Sequence, residues 1–545
     1  ISQEEVDRAK QSLLKDIDLI LNQSDRLGIG LSEYIAQGDW RLFFIMRDRI
    51  RKVTALDVRN ASAKYLKREN RTLGTFIPTA KPDRAEIPAA VDIAALVKDY
   101  KGQEKLVQGE AFDSSPANID GRTRKAVLAP GFKAAFLPKK TCGEQVSATL
   151  TLHFGTEASL KDKDLAGEIA GQMLMRGTTK HTRQQISDEF DRLKAQVNLG
   201  GNAESVSARI TTTRPNLVAV LTLVAEILKE PGFPKEEFER LVNETVTGIE
   251  SQKSEPNAVA QIALRQHTDP YPKGHVRHTH SLDETIAAYK GAKLEEVQAF
   301  YRAYYGTSAA ELAVVGDFDD KALEAQVKAL FGDWKADQPF QRIPRLIKDA
   351  QPLDKKLETP DKANAFFMTA LALPMKDEDP DYPALLMGNW MLGGGALKSR
   401  LADRIRQKEG LSYGVGSQLA IYPQDPAGNW VAYAMFNPAN LVKLEQAFRE
   451  ELDKALKDGF TAEELGAAKT AWLQGQETSR TQDGALAGRL VSNLFLGRDM
   501  AWQEALEAKV KALTNEQILA SLRKHLDPSK LSIVKAGDFA KADKK

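Results

Sequence analysis

The sequence predicts an α+β fold of repeated units, each an antiparallel sheet with helices packed on one side. Three observations predict it: a helix-then-strand segment that recurs three times, short alternating β-rich runs broken by turn residues, and the long helical stretches that follow them. In the first copy Val58 precedes Tyr65-Leu66 and the run Leu73-Gly74-Thr75-Phe76 follows. In the second, Val297 precedes Tyr304-Tyr305 and the run Leu312-Ala313-Val314-Val315-Gly316-Asp317. In the third, Ile518 precedes His525-Leu526 and the run Leu531-Ser532-Ile533-Val534. The first and last copies also match upstream: Glu5 to Lys10 resembles Glu464 to Lys469, Gly38 matches Gly497, and Val53-Thr54 matches Leu513-Thr514. On that register the first copy is expected to begin upstream of Ile1.

Residues 1–78 therefore read as the C-terminal part of a truncated preceding unit. Residues 79–124 carry Pro82, Pro88, Pro116, many charges and one apolar patch from Ile93 to Val97, the composition of a linker wrapping over a surface. Residues 125–345 form the next unit. It opens with alternating runs broken at Pro130-Gly131 and at Pro138-Lys139-Lys140, which predict a β-hairpin. Helices are expected at about 161–177, 183–195, 215–229 and 234–254. Residues 346–545 repeat the order, with a strand at 364–373, helices at 382–391 and 397–408, and a strand at 411–420.

Bulk composition narrows the function classes. The 545 residues are 42% hydrophobic and 28% charged, as in ordinary globular chains. With 76 basic and 75 acidic side chains the net charge is +1, so the field that draws proteins to nucleic acid is missing and no nucleic-acid partner is expected. A single cysteine, Cys142, excludes an internal disulfide and a Cys-rich zinc ribbon. No apolar run approaches the length of a membrane span, and the first residues do not resemble a signal peptide.

The chemistry-bearing stretch lies in the last unit, at Arg406-Gln407-Lys408-Glu409-Gly410-Leu411-Ser412-Tyr413. Leu397, Leu401 and Ile405 form a helical stripe that ends near Gly410, a residue suited to a left-handed C-cap. From there Leu411, Tyr413 and Val415 alternate as in a strand. A helix end feeding straight into a strand can bring a guanidinium and a phenol to one spot. The plainer reading makes Arg406 a surface ion-pair partner of Glu409 and Tyr413 a half-buried strand aromatic.

Together the repeat, the helix ending at Gly177-Thr178 and the arginine and tyrosine spaced seven apart resemble the pitrilysin and insulin-degrading-enzyme family of inverted zinc metallopeptidases, over essentially the whole chain. The resemblance implies four units forming two halves of a clamshell around a closed chamber, with zinc held only by the first unit on a His-x-x-Glu-His helix. In the helix ending at Gly177 the two histidine positions fall on Glu168 and Gln172 and the glutamate position on Gly171; the family's third ligand maps near Gly248, beside Glu250. An amide is a poor zinc ligand and glycine cannot move a proton. The expected zinc therefore belongs to an N-terminal half, no residue of this chain is expected to hold a metal, and the chain alone is expected to be inactive.

The resemblance further implies that Arg406 and Tyr413 are the catalytic residues here, reaching across the chamber to bind the substrate backbone and help hold the oxyanion. The expected partners are a peptide or small unfolded protein substrate and an N-terminal catalytic half or active partner subunit, and the family's habit places the long bacterial forms in the periplasm. The alternative is a non-enzymatic partner or scaffold of an active peptidase subunit. Three rival constellations carry less. Gly410-Leu411-Ser412-Tyr413-Gly414 formally matches a serine-hydrolase elbow, which needs a strand before the serine and a helix after it, and only His525 follows it. His275, His278 and His280, with Asp283 and Glu284 close behind, read as loop histidines rather than as a metal cluster. Gly393-Gly394-Gly395 reads as a flexible turn between helices rather than as a phosphate loop.

Overall fold

A computed structural model describes residues 1–68, 71, 92–101 and 108–542. The run at Leu73 to Phe76 and the linker prolines Pro82 and Pro88 lie outside the described residues.

The chain opens with four helices, α1 (Gln3–Leu21), α2 (Ser24–Ala36), α3 (Leu42–Lys52) and α4 (Ala55–Tyr65). Two short linker helices follow, α5 (Ile93–Val97) and α6 (Pro116–Arg122). The next unit runs β1 (Arg124–Ala129), β2 (Phe132–Pro138), β3 (Gln145–His153), α7 (Asp164–Met173), α8 (Arg183–Arg192), β4 (Gln196–Gly201), β5 (Ser205–Thr213), α9 (Leu217–Lys229), α10 (Lys235–Gln252), α11 (Pro256–Thr268), α12 (Leu282–Gly291), α13 (Leu294–Tyr304), β6 (Ala310–Gly316) and α14 (Asp320–Phe331). The last unit begins with β7 (Leu353–Glu358), β8 (Ala365–Leu373) and α15 (Tyr382–Asn389), which continues as a π-helical stretch at Trp390–Gly394. A second π-helical stretch, Ala402–Lys408, leads into β9 (Ser412–Ala420) and β10 (Gly428–Phe436). Then come α16 (Leu441–Asp458), α17 (Ala462–Thr481), α18 (Asp483–Leu496), α19 (Met500–Ala512), α20 (Asn515–His525), β11 (Ser532–Gly537) and α21 (Phe539–Ala542).

The repeat is written in the helix caps. Ser2 and Glu5 form a capping box at the start of α1, and Thr461 and Glu464 form the same box at α17. Thr54 with Asp57 and Thr514 with Gln517 do so at α4 and α20. In each box the hydroxyl accepts a backbone N–H and the residue three further on accepts the cap's own N–H, so two orphan donors are satisfied at once.

The α+β layout of repeated units is borne out, with two differences. First, the sheets are mixed. The six-stranded sheet has the order β1-β2-β6-β3-β5-β4 and the five-stranded sheet β7-β11-β8-β10-β9. In each, the last strand of the unit returns through several helices and pairs in parallel, β6 with β2 and β11 with β7, while every other pair is antiparallel. A parallel neighbour needs a long crossover, which the helices provide, and alternation along a strand says nothing about its direction.

Second, helices cover both faces. Strands β6 and β11 are buried at every residue, which explains why their sequences are continuous apolar runs. On one face each sheet packs its own unit's helices. On the other, the two units exchange a helix. From α18, Leu486, Ala487, Leu490, Val491 and Leu494 pack with Ala135, Leu137, Ala313 and Val315 of β2 and β6. From α11, Ala260 and Leu264 pack with Phe366, Ala370, Val534 and Ala536 of β8 and β11. Periodicity reports that a helix has an apolar face, but not which sheet receives it.

Candidate functional site

Helix α7 carries the positions that the sequence resemblance sets against a zinc helix, and its side chains are committed elsewhere. The Tyr289 hydroxyl donates to Glu168 Oε1 at 3.0 Å and the Gln172 amide to the same oxygen at 3.2 Å. Burial, with the Glu168 carboxylate next, pushes the Tyr289 phenol well above its ordinary value, so it stays a donor. At Gly171 a Cβ would stand 3.0 Å from the backbone nitrogen and carbonyl oxygen of Gly201. The helix rests directly on β4 there, so a longer side chain would have to displace the strand. Glu250 pairs with Lys253 and Lys290 on the surface. Zinc does not fit these residues: one carboxylate is held by two donors, the second position is an amide, and the base position is closed sterically.

Arg406 and Tyr413 lie at the edge of the five-stranded sheet, where the stretch Ala402–Lys408 runs into β9. Helical hydrogen bonds there are one residue longer than in an α-helix, as when Glu409 N–H donates to Arg404 O at 3.1 Å. Leu411 N–H then reaches back to Ile405 O at 2.9 Å, and Gly410 takes φ +62°, the left-handed cap expected of glycine. Such π-helical insertions concentrate at functional sites. The helix is anchored at its start, where the Arg400 guanidinium makes two hydrogen bonds to Glu464, at 2.7 and 2.9 Å, and lies 4.4 Å from the Phe460 ring centre.

Charges on this helix are unequally engaged. Arg404 pairs with Glu409, Glu450 and Glu451, and Lys408 with Asp403. Arg406 between them is exposed, with neither a hydrogen bond nor an ion pair among the described residues. The surface pair with Glu409 thus belongs to Arg404, not to Arg406.

Tyr413 is the extra residue of a β-bulge. On β10 the neighbours Met435 and Phe436 face Gly414 and Ser412, so Tyr413 has no partner across the ladder. The Ser412 hydroxyl bridges the bulge, donating to Gly414 O at 2.9 Å and accepting its N–H at 3.1 Å. A bulge bends its strand and re-aims a side chain. Tyr413 is 63% exposed rather than half-buried, its hydroxyl 2.6 Å from Met435 Sδ. The spacing of seven thus places two unburied polar groups on consecutive pieces of backbone, one ending a helix and one beginning an edge strand.

Sequence reasoning missed the bulge, the π-helical stretches and a buried residue that ties α15 to the sheet. Buried Asn389 ends α15, and its Oδ1 accepts from the Ser417 hydroxyl at 2.7 Å and the Trp430 indole at 2.9 Å, tying the helix to β9 and β10. Gly393, expected in a flexible turn, is packed: a Cβ there would meet Ser417 Oγ at 2.4 Å. The three-glycine run was the available signal, since close backbone approach is what glycine permits.

Rival constellations dissolve. Ser412 follows a helix and begins a strand, the reverse of a nucleophile elbow, and His525 is held by Asp381 at 2.9 Å. His275 stacks on Tyr271 at 4.3 Å between ring centres, and burial lowers its pKa, which favours the neutral ring. His278 bonds Asp269 and the Tyr271 carbonyl, each at 3.0 Å, and His280 bonds Asp164 at 2.8 Å. Of these imidazoles, His280 fastens the loop before α12 to the start of α7, and His275 and His278 hold that loop on itself.

Among the described residues no helix is long and apolar enough to cross a membrane. Residues 292–471 match the peptidase M16 inactive domain. An uncharacterized zinc protease of Streptomyces coelicolor is 24% identical over 421 residues, covering 74% of this chain and 87% of that protein. Another, of Bacillus subtilis, is 22% identical over 330 residues, covering 59% and 76%. Among solved structures, a peptidase M16 inactive domain from Pseudomonas fluorescens superposes with a TM-score of 0.66 at 24% identity, covering 76% of this chain and 97% of that one. The periplasmic protease PqqL from Escherichia coli gives 0.62 at 13% identity, covering 98% and 61%. With the repeated α+β units, these matches show that residues 292–471 resemble the peptidase M16 inactive domain and that the fold is the one seen in the solved M16 inactive-domain structure.

Proposed function

We propose that this chain is the non-cutting portion of a zinc metallopeptidase that degrades peptides in a closed chamber, and that Arg406 and Tyr413 bind the substrate and stabilise the oxyanion. The carrying observation is the pair's placement: an uncommitted guanidinium at a helix end and a phenol thrown outward by a bulge on the adjoining edge strand. In this reading the Arg406 guanidinium donates to a carbonyl of the extended peptide and fixes its register. The Tyr413 hydroxyl donates to the carbonyl oxygen as negative charge builds on it, so its contribution is greatest in the transition state. The anchored helix and the bridged bulge hold both donors in place, which limits reorganisation during reaction. Closure of the two halves excludes bulk water and strengthens both hydrogen bonds. The zinc and the general base belong to an N-terminal catalytic half, because α7 fits neither. The likeness to the periplasmic protease is what supports a periplasmic location for the assembled enzyme in this reading.

The test is reconstitution. The chain alone should neither cut an unstructured peptide nor retain stoichiometric zinc after dialysis, and adding a separately produced catalytic half should give hydrolysis. Cleavage by the chain alone, or one tightly held zinc per chain, contradicts the reading. A mixture as active without this chain as with it favours the scaffold alternative.

A further inference from the structure

A cavity of about 330 Å³ lies where the two units meet, shared by the end of β3, the start of β5, residues 340–345 between the units, the β9–β10 turn and the end of α18. It stands apart from Arg406 and Tyr413. Tyr422, which lines it, follows Tyr413 along β9 by nine positions, roughly 30 Å of strand. Its walls are held by groups that satisfy one another. Arg277 donates to Glu204 at 2.7 Å and to the Ile343 and Pro344 carbonyls at 3.0 Å, and Gln341 N–H donates to Gly155 O at 2.8 Å. Arg342 pairs with Asp425 at 2.5 Å, and the same carboxylate accepts the Arg345 backbone N–H at 2.9 Å. Both lining carboxylates are thus taken. The Arg345 guanidinium is left over, 4.2 Å from the Tyr422 ring centre and without a carboxylate partner among the described residues.

The apolar side of the cavity is aromatic. Phe340 and Phe495, both partly exposed, line it together with the His153 ring, which stacks on Phe495 at 4.4 Å between centres. His153 Nε2 is bound to buried Glu311 at 2.7 Å, and Nδ1 has no partner among the described residues. With Nε2–H donated to the carboxylate, Nδ1 is an acceptor.

We infer that this cavity binds the C-terminal residue of a peptide. Its free carboxylate pairs with Arg345, an aromatic or large aliphatic side chain lies against Phe340 and Phe495, and the last peptide N–H donates to His153 Nδ1. A guanidinium matches a carboxylate in geometry as well as in charge. Apolar walls with a few placed polar groups, in a cavity of this size, are the ordinary build of a small-ligand site. An incoming carboxylate meets no unpaired acid on these walls, because Glu204 and Asp425 are already neutralised by arginines. The inference does not depend on the roles given to Arg406 and Tyr413, and its test needs no catalytic half.

The test is calorimetric titration of the whole chain with N-acetylphenylalanine. N-acetylphenylalanine amide, which lacks the carboxylate, and N-acetylglycine, which lacks the ring, are each expected to bind about tenfold or more weakly. Arg345 is exposed, so Arg345→Gln should leave the melting temperature unchanged. That variant should bind the acid about tenfold or more weakly and the amide as the parent does. Absence of saturable binding up to about 10 mM, equal affinity for acid and amide, or parental affinity in Arg345→Gln would each overturn the inference. Tighter binding of free phenylalanine than of its N-acetyl form would assign the cavity to free amino acids and overturn it as well.

Discussion

Gly171 sits so close to Gly201 that a Cβ at position 171 would stand 3.0 Å from that residue's backbone nitrogen and carbonyl oxygen. The contact seats α7 on β4 and closes the place a general base would need. Replacing Gly171 with alanine is expected to destabilise the chain by roughly 1–3 kcal/mol through overpacking, read from urea denaturation. Restoring the family motif by Glu168→His, Gly171→Glu and Gln172→His together should yield no stoichiometric zinc by metal analysis. A stable triple variant holding one zinc would show that the site is silent for chemical reasons only.

The exchanged helices predict a shared fate for the two units. Leu490 is 3% exposed and lies between α18 and the other unit's sheet. Leu490→Ala should cost about 2–5 kcal/mol and lower the unfolding midpoint of both units together. Val442→Ala, on the exposed side of α16, should stay within about 0.5 kcal/mol. Two separate transitions in calorimetry, with only one moved by Leu490→Ala, would argue against the exchange.

The anchor of the Arg406 helix predicts a pH dependence. The Arg400 guanidinium, followed by the Thr461 cap, holds the Glu464 carboxyl down to about 2 from its ordinary 4.5, burial opposing them. A depressed carboxyl stabilises the fold above its unfolded value, and that contribution is lost as pH falls from about 4.5 toward about 2. Glu464→Gln keeps the capping box and removes the charge. The variant should be less stable than the parent at neutral pH, and the difference should shrink steadily in acid. A difference independent of pH would mean that the ion pair is not what Glu464 contributes.

Much of this was legible in the sequence because it follows from local rules. Leu401 and Ile405 announced a helix, Gly410 its left-handed end, and the run from Leu411 a strand, whereas Leu397, expected on the same buried stripe, lies in a separate turn before the helix and is 50% exposed. What stayed hidden is set by tertiary contacts. Nothing in the order Leu411-Ser412-Tyr413-Gly414 says that β10 skips Tyr413, because a bulge is a property of two strands. The stretch Ala402–Lys408 has the apolar spacing of an α-helix, and its wider hydrogen bonding comes from packing. Assigning Glu409 to Arg406 rather than to Arg404 was an error of the same kind, since helical neighbours depend on how the helix is wound.

The most direct test of the central claim is single-turnover hydrolysis of a peptide by the complete enzyme carrying Tyr413→Phe or Arg406→Ala, with zinc measured in the same samples. Tyr413→Phe is expected to lower the chemical step by about tenfold or more with unchanged zinc, and Arg406→Ala to weaken substrate binding as well. Parental rates in both variants would contradict the claim and leave the bulge and the uncommitted guanidinium as features of shape alone.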